Sequence, residues 1–429
     1  MGSDRASRTR QAGERSGGED PVAARGSACV AARRPAIHRI LSSPRPTVAR
    51  PGALPSRSPD TESDEWFDLF FDLVFAVAVA LWADRLADHP TLGAYARGVA
   101  ELVPIWWLWL GQTVFAARFT ADEPKDRLLA IGVVVAVGIM STELVADPAQ
   151  SLRFPLGFVA ARVALLASYA SVRGVSPDAR RIADAYLVGF GAGAGIWALS
   201  VLLPAPYRPA AWALGFAVDL SVPWLARPRL QRIRLDHRYV PSRVGAFVSL
   251  LLYVSIESLV RGIAEKGWSA WTSVVALLSF ALVVTVWWIY AARVNRQDMR
   301  SVFGTGALPY LYSHLPIVLG VGTLSLGIRL AVEAGGPGGE AARGIGFVAA
   351  GLSLWIVGLV LVRAIVLRYR DRFWHWPFLA AGVFFPALAT LGATRRPIAT
   401  LGGDVVVLFV LLTLELRRGR AHGLAPHPL

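Results

Sequence analysis

The sequence predicts an all-α protein, a polytopic membrane bundle of about twelve transmembrane helices. Three observations carry that prediction. The 429 residues are 54% hydrophobic and only 17% charged, with a mean hydropathy of +0.47, whereas a soluble domain has about 25% charged residues. Apolar runs close to the roughly 20 residues needed to cross a bilayer recur along most of the chain. Arginines and lysines alternate between rich and poor loops, as they do on the two sides of a membrane.

The first run, 66–87, opens with WFDLFFDLVF. The second, 99–118, carries Trp106 and Trp107 and is followed by runs at 127–147 and 154–172, the latter with Arg162 near its centre. The fifth spans 181–203, and the sixth, 209–225, is short and interrupted by Pro223. Six more lie at 243–264, 270–291, 307–333, 343–367, 375–391 and 400–416; of these, 375–391 is short and broken by Pro386. Without the two short runs the count falls to ten or eleven.

With the N-terminus placed in the cytoplasm, the inner loops hold Arg118, Lys125 and Arg127, then Arg173, Arg180 and Arg181, then the central stretch ARPRLQRIRLDHRYVPSR. Later inner loops hold Arg293, Arg296 and Arg300, then Arg368, Arg370 and Arg372, and the tail carries Arg417, Arg418 and Arg420. The outer loops are poorer, for example Arg153, Arg208 and Arg343. An even number of spans with both termini cytoplasmic satisfies every loop. The chain then divides into a disordered Arg- and Pro-rich tail (1–60), a first six-helix half (61–226), a basic loop (227–242), a second half (243–420) and a short tail (421–429). The halves share short matches: VFAARF with IYAARV, and GFVAAR with GFVAAG, at corresponding spans. These are consistent with a six-plus-six parallel repeat, an arrangement in which substrate sites lie near the midplane between the halves.

A net charge of +14 and pI near 10.7 would suggest nucleic acid in a soluble protein, but here the positive charges sit in loops that face anionic lipid. The single Cys29 excludes an intramolecular disulfide. The seven histidines form no metal-binding spacing. The two lysines, Lys125 and Lys266, both lie in expected loops, so no span offers an amine for a Schiff base. No glycine-rich segment has P-loop spacing and no serine sits in a G-x-S-x-G setting, so no cofactor is called for.

Charges within the runs are the candidate functional residues. Asp68 and Asp72 are one helical turn apart, and Asp72 lies roughly 10 Å along its span. Asp219 and His314 fall at similar depth, Arg162 near mid-span, and Glu143 and Glu257 in the outer half. Lone charges at bilayer depth cost at least about 2.5–3.5 kcal/mol each, so these side chains are expected to face the interior and compensate one another, with Arg162 the permanent cation.

The opening WFDLFFDLVFAVAVA resembles the first-span signature of the bacterial low-temperature-requirement protein A family, W-x-E-L-F-F-D-L-V-F-V. The likeness continues through Trp107 to Phe119, Arg162, Asp219, His237, Arg243, Gly245, Glu257, Trp287 to Tyr290, and HLPIVLG at His314 to Gly320. Two positions depart from it: the family's usual Glu is Asp68 here, and L-G-E-S has become SIES, with Ile256 in place of glycine. The resemblance implies a multi-pass bacterial inner-membrane protein linked by name to growth in the cold, without a settled activity.

The residues point to a proton- or ion-coupled transporter of a small solute or ion, with Asp72, Arg162, Asp219, Glu257 and His314 lining one polar pathway and Arg162 alternating between inner and outer acids. Two alternatives stand beside it. One is a membrane-embedded enzyme acting on a lipid or isoprenoid carrier, although no D-D-x-x-D cluster is present. The other is a sensor or scaffold recruiting a partner through residues 1–60.

Overall fold

The structure is a computed structural model that describes residues 62–119, 124–293, 307–366 and 375–421. The expectations for residues 1–60 and for the tail beyond 421 fall outside these. The first half consists of α1 (Glu62–Asp88), α2 (Leu92–Ala116), α3 (Pro124–Glu143), α4 (Arg153–Ser171), α5 (Pro177–Ser200) and α6 (Arg208–Leu225). A single turn, α7 (Arg227–Leu230), leads to α8 (Tyr239–Lys266), α9 (Ala270–Arg293), α10 (Ala307–Tyr312) and α11 (Leu315–Glu333). The chain then forms α12 (Gly339–Val366), α13 (Trp376–Gly392) and α14 (Pro397–Ala421). The described residues contain no strand.

Every apolar run of the sequence coincides with one of these helices, the ninth run with α10 and α11 together. Among the described residues, nine helices are long and apolar enough to cross a membrane, counting α10 and α11 as one. The other three runs fall short of that standard. Helix α3 begins with Lys125, Asp126 and Arg127, α6 is long enough but is made less apolar by Arg208, Asp219 and two prolines, and α13 has only 17 residues.

Local chemistry sets the helix ends. Thr91 and Ser176 cap α2 and α5 by accepting from the backbone N–H of Ala94 and Ala179, satisfying donors that a helix start leaves open. Gly267, at φ 76°, stops α8 in a conformation that side-chain-bearing residues rarely adopt. Pro223 lies two residues before the end of α6, where its missing N–H and its ring work against further helix.

The order of neighbours is partly similar in the first six helices and in those from α8 on, although α9 packs on α14 with no equally close contact between α2 and α6. Helix α1 packs on α2 and α3, α3 on α4, α4 on α5, and α5 on α6; likewise α8 packs on α9 and α11, α11 on α12, α12 on α13, and α13 on α14. Helix α1 also lies against α8 and α11, and α2 touches the same two helices. The closest pair is α11 with α12, joined by glycines seven apart on each helix. A Cβ added to Gly344 or Gly351 would come within 2.5 Å of the backbone nitrogen of Ala331 or Leu324. Small residues let helix backbones approach this closely where lipid supplies no hydrophobic drive. Large apolar side chains such as Val135, Leu277, Phe280, Val383 and Phe409 remain exposed around the bundle, as expected of surfaces that meet acyl chains.

Candidate functional site

Asp68 and Asp72 project from one face of α1 toward α8 because residues four apart lie one above the other on a helix. Arg243, in the second turn of α8, answers both. Its Nη2 lies 2.7 Å from Asp72 Oδ1, and Nη1 lies 3.3 Å from Asp68 Oδ1. Asp72 is fully buried and Arg243 nearly so. The indole Nε1 of Trp109 on α2 also donates to Asp72 Oδ1, at 2.7 Å, and its ring stacks on Phe247, one turn beyond Arg243, with centroids 4.1 Å apart. The guanidinium covers the Phe71 ring at 5.4 Å. Three helices are thereby fastened around one buried ion pair.

A cavity of about 50 Å³ opens beside this pair, lined by Asp68, Gln112, Thr113, Asp126, Arg127, Tyr239 and Arg243 among others. At roughly 10–15 Å³ per water it has room for a few. Gln112 Oε1, Thr113 Oγ1 and Arg243 Nε are buried without hydrogen-bond partners among the described residues, as is the second carboxylate oxygen of Asp72. Unpaired buried polar atoms are costly, so this lining is suited to water or a polar solute.

At the opposite end of the same seam lies a second set of charges. Asp84, near the end of α1, pairs with Arg329 of α11 and lies 3.3 Å from Arg261 of α8. Arg329 also reaches Glu333 at 2.5 Å and Glu265 at 3.8 Å. Glu257 pairs with Arg261 at 2.6 Å, one turn along its own helix.

The remaining candidates lie elsewhere. Arg162 of α4 and Asp219 of α6 form a fully buried pair at 2.5 Å, with the guanidinium over the rings of Phe190 and Phe158 at 4.4 and 5.1 Å. Glycines make room for it. A Cβ on Gly111 would sit 3.3 Å from Arg162 Nη1, and Gly193 leaves no space for one beside Asp219. Glu143, at the end of α3, lies 3.6 Å from Arg153 at the start of α4. His314 precedes α11; its Nδ1 lies 2.8 Å from the Tyr310 carbonyl and its Nε2 3.3 Å from the Tyr290 hydroxyl. Because a carbonyl only accepts, Nδ1 carries the hydrogen of that contact.

The expected convergence on one shared pathway therefore does not describe how these residues sit. Arg162 does meet Asp219, but Asp72 has Arg243, Glu257 has Arg261, and His314 has tyrosines. Helix α2 separates the first two groups. Trp107 and Gly111, one turn apart, face α4 to α6, where Trp107 packs on Phe190 and Phe216, whereas Trp109, half a turn round, faces Asp72. Depth along a helix was legible in the sequence, but direction around it was not. By sequence Arg243 closes the basic stretch and opens the run at 243–264, at the edge of the membrane, whereas the structure sets it in the second turn of α8. Pro241, Ser242 and Arg243 interrupt the apolar pattern between Val240 and Val244 and so hide the earlier start of that helix at Tyr239. Asp84, Arg261 and Arg329 were also missed, since each sits near a helix end where a charge is unremarked.

The fold and the buried ion pairs define a polytopic helical membrane protein. The family model of the bacterial low temperature requirement A protein matches residues 65–413, and the chain belongs to that family. An uncharacterized protein of Rhizobium meliloti (strain 1021) is 26% identical over 260 residues, covering 56% of this chain. The match spans 62% of that relative's length.

Proposed function

We propose that the chain is a proton- or ion-coupled transporter of the bacterial cytoplasmic membrane, with twelve crossings in two sets of six and both termini cytoplasmic. The observation that carries this reading is the seam between α1 and α8. At one end it has a polar cavity beside the Asp72–Arg243 pair, and at the other a lattice of charges that ties α1 to α8 and α11. A seam between two halves that is open at one end and bound by ion pairs at the other is the kind of interface that alternating access requires. The partly similar order of neighbours in the halves supports the six-plus-six arrangement. Short helices such as α6 and α13 cross in this reading with help from their neighbours.

In operation, a solute or ion entering the cavity competes with Asp68 and Asp72 for Arg243. Weakening that pair frees α8 to shift against α1, while the Asp84, Arg261 and Arg329 lattice parts at the far end. The Arg162–Asp219 pair, enclosed within the first half, holds α4 to α6 and takes no part in the movement. The basic stretch around Arg229, Arg234 and Arg238 rests against anionic headgroups on the cytoplasmic side. Among the described residues no group of three His, Cys, Asp or Glu is placed to hold a metal ion.

The test is pH-dye and isotope flux in proteoliposomes containing the full chain. Asp72→Asn and Glu257→Gln are expected to reduce flux, the former more strongly. Flux unchanged by both would count decisively against the proposal.

A further inference from the structure

Asp404 stands apart from every other acid in the bundle. It lies in α14, seven residues after Pro397 and so roughly 10 Å from the helix start. It is fully buried, and neither carboxylate oxygen has a hydrogen-bond partner among the described residues. Asp219 is equally buried in the first half, but there Arg162 stands 2.5 Å away.

Among the described residues no base takes that part for Asp404. Helix α14 packs on α9, α12 and α13. Between Trp376 and Gly392, α13 carries no ionisable residue, and its cap His375 lies at the far end. On α9 the ionisable residues are Tyr290 and Arg293, both at its distal end. On α12, Glu340 and Arg343 are exposed at the start, and Arg363 pairs with Glu415 at the far end of α14. In the match between the halves, the position of Arg162 is occupied by Gly351, pressed against α11.

The Arg363–Glu415 pair near both C-terminal ends shows that α12 and α14 run parallel. Helix α11 is antiparallel both to α12, since Gly344 meets Ala331, and to α9, since Trp271 donates to the Ala331 carbonyl. Helices α9 and α14 are therefore parallel, so the distal end of α9, with Tyr290 and Arg293, lies away from the level of Asp404 near the start of α14.

We propose that Asp404, buried with no counter-charge and no hydrogen-bond partner among the described residues, forms a buried proton-binding site in the later part of the chain. An isolated buried carboxylate is so unfavourable that it is neutralised rather than kept charged. A divalent cation is a poor candidate, because it needs about six oxygen ligands and one carboxyl falls far short. A carboxyl holding its proton becomes a donor to a hydroxyl or a main-chain carbonyl. Use of this site as the coupling site rests on the transport reading above; its occupancy by a proton does not.

The experiment treats the full chain, in non-energised membranes, with dicyclohexylcarbodiimide, which adds to protonated carboxyls in apolar surroundings, and locates adducts by peptide mass spectrometry. The expected result is an adduct at Asp404 and none at Asp219, with a labelling rate that falls roughly tenfold per pH unit on the alkaline side. Asp404→Asn should abolish the adduct while the variant keeps its thermal midpoint. The proposal is overturned if Asp404 is unlabelled, if Asp219 reacts as fast, or if the rate ignores pH. It is also overturned if sodium protects at constant pH, which would make the occupant a metal cation. Absent flux with intact pH-dependent labelling would remove the transport reading and leave the proton site standing.

Discussion

Arg243 and Asp72 are each buried with the other as chief counter-charge, and that mutual dependence has a measurable consequence. Removing one member of a buried pair strands the other, at a cost of about 3–5 kcal/mol. Arg243→Gln is therefore expected to lower stability by that order in a denaturant titration of the purified protein. The double variant Asp72→Asn with Arg243→Gln should regain a good part of the loss. A double variant as unstable as the sum of the singles would show that the two residues do not act as a pair. The same reasoning separates two glycines of α5. Gly193→Ala has no space beside Asp219, whereas a Cβ at Gly195 meets nothing within 4 Å. The first substitution should depress the thermal midpoint, and the second should leave it unchanged or raise it slightly.

Among the helices, α11 and α12 approach most closely, and their glycines decide how closely. A valine at Gly351 would press on the backbone of α11 at Leu324, while Gly346, on the same helix, faces open space. Overpacking of this kind costs roughly 1–3 kcal/mol, and a clash with backbone lies at the upper end. Gly351→Val is expected to lower the midpoint by several degrees and Gly346→Val to have little effect; equal effects would mean that the seam yields. Helix α2 works differently. It carries Trp109 toward the α1–α8 seam and Trp107 toward α5 and α6, so one helix supports two separate buried ion pairs.

At the scale of the whole molecule, the proposed orientation makes a topological prediction. In a Cys29→Ser background, Arg234→Cys should react with an impermeant maleimide only from the cytoplasmic side and Gly338→Cys only from outside. Both positions are exposed. The opposite pattern would invert the bundle, and labelling of both from one side would contradict an odd number of crossings between them.

Hydropathy was enough to locate every long helix among the described residues, because a segment that leaves water must be apolar along its length and must satisfy its backbone within itself. Those are properties of a stretch of sequence, read without knowledge of neighbours. The unusual acids Asp68 and Asp72 were visible for the same reason, as charges where a span should have none. Their partner was not visible. Which arginine meets which carboxylate depends on the rotation of each helix about its axis and on what lies between, and these follow from packing contacts among residues far apart in the chain. Tertiary structure alone therefore sent Arg243 to Asp72, enclosed Arg162 with Asp219 beyond α2, and left Asp404 buried without a base.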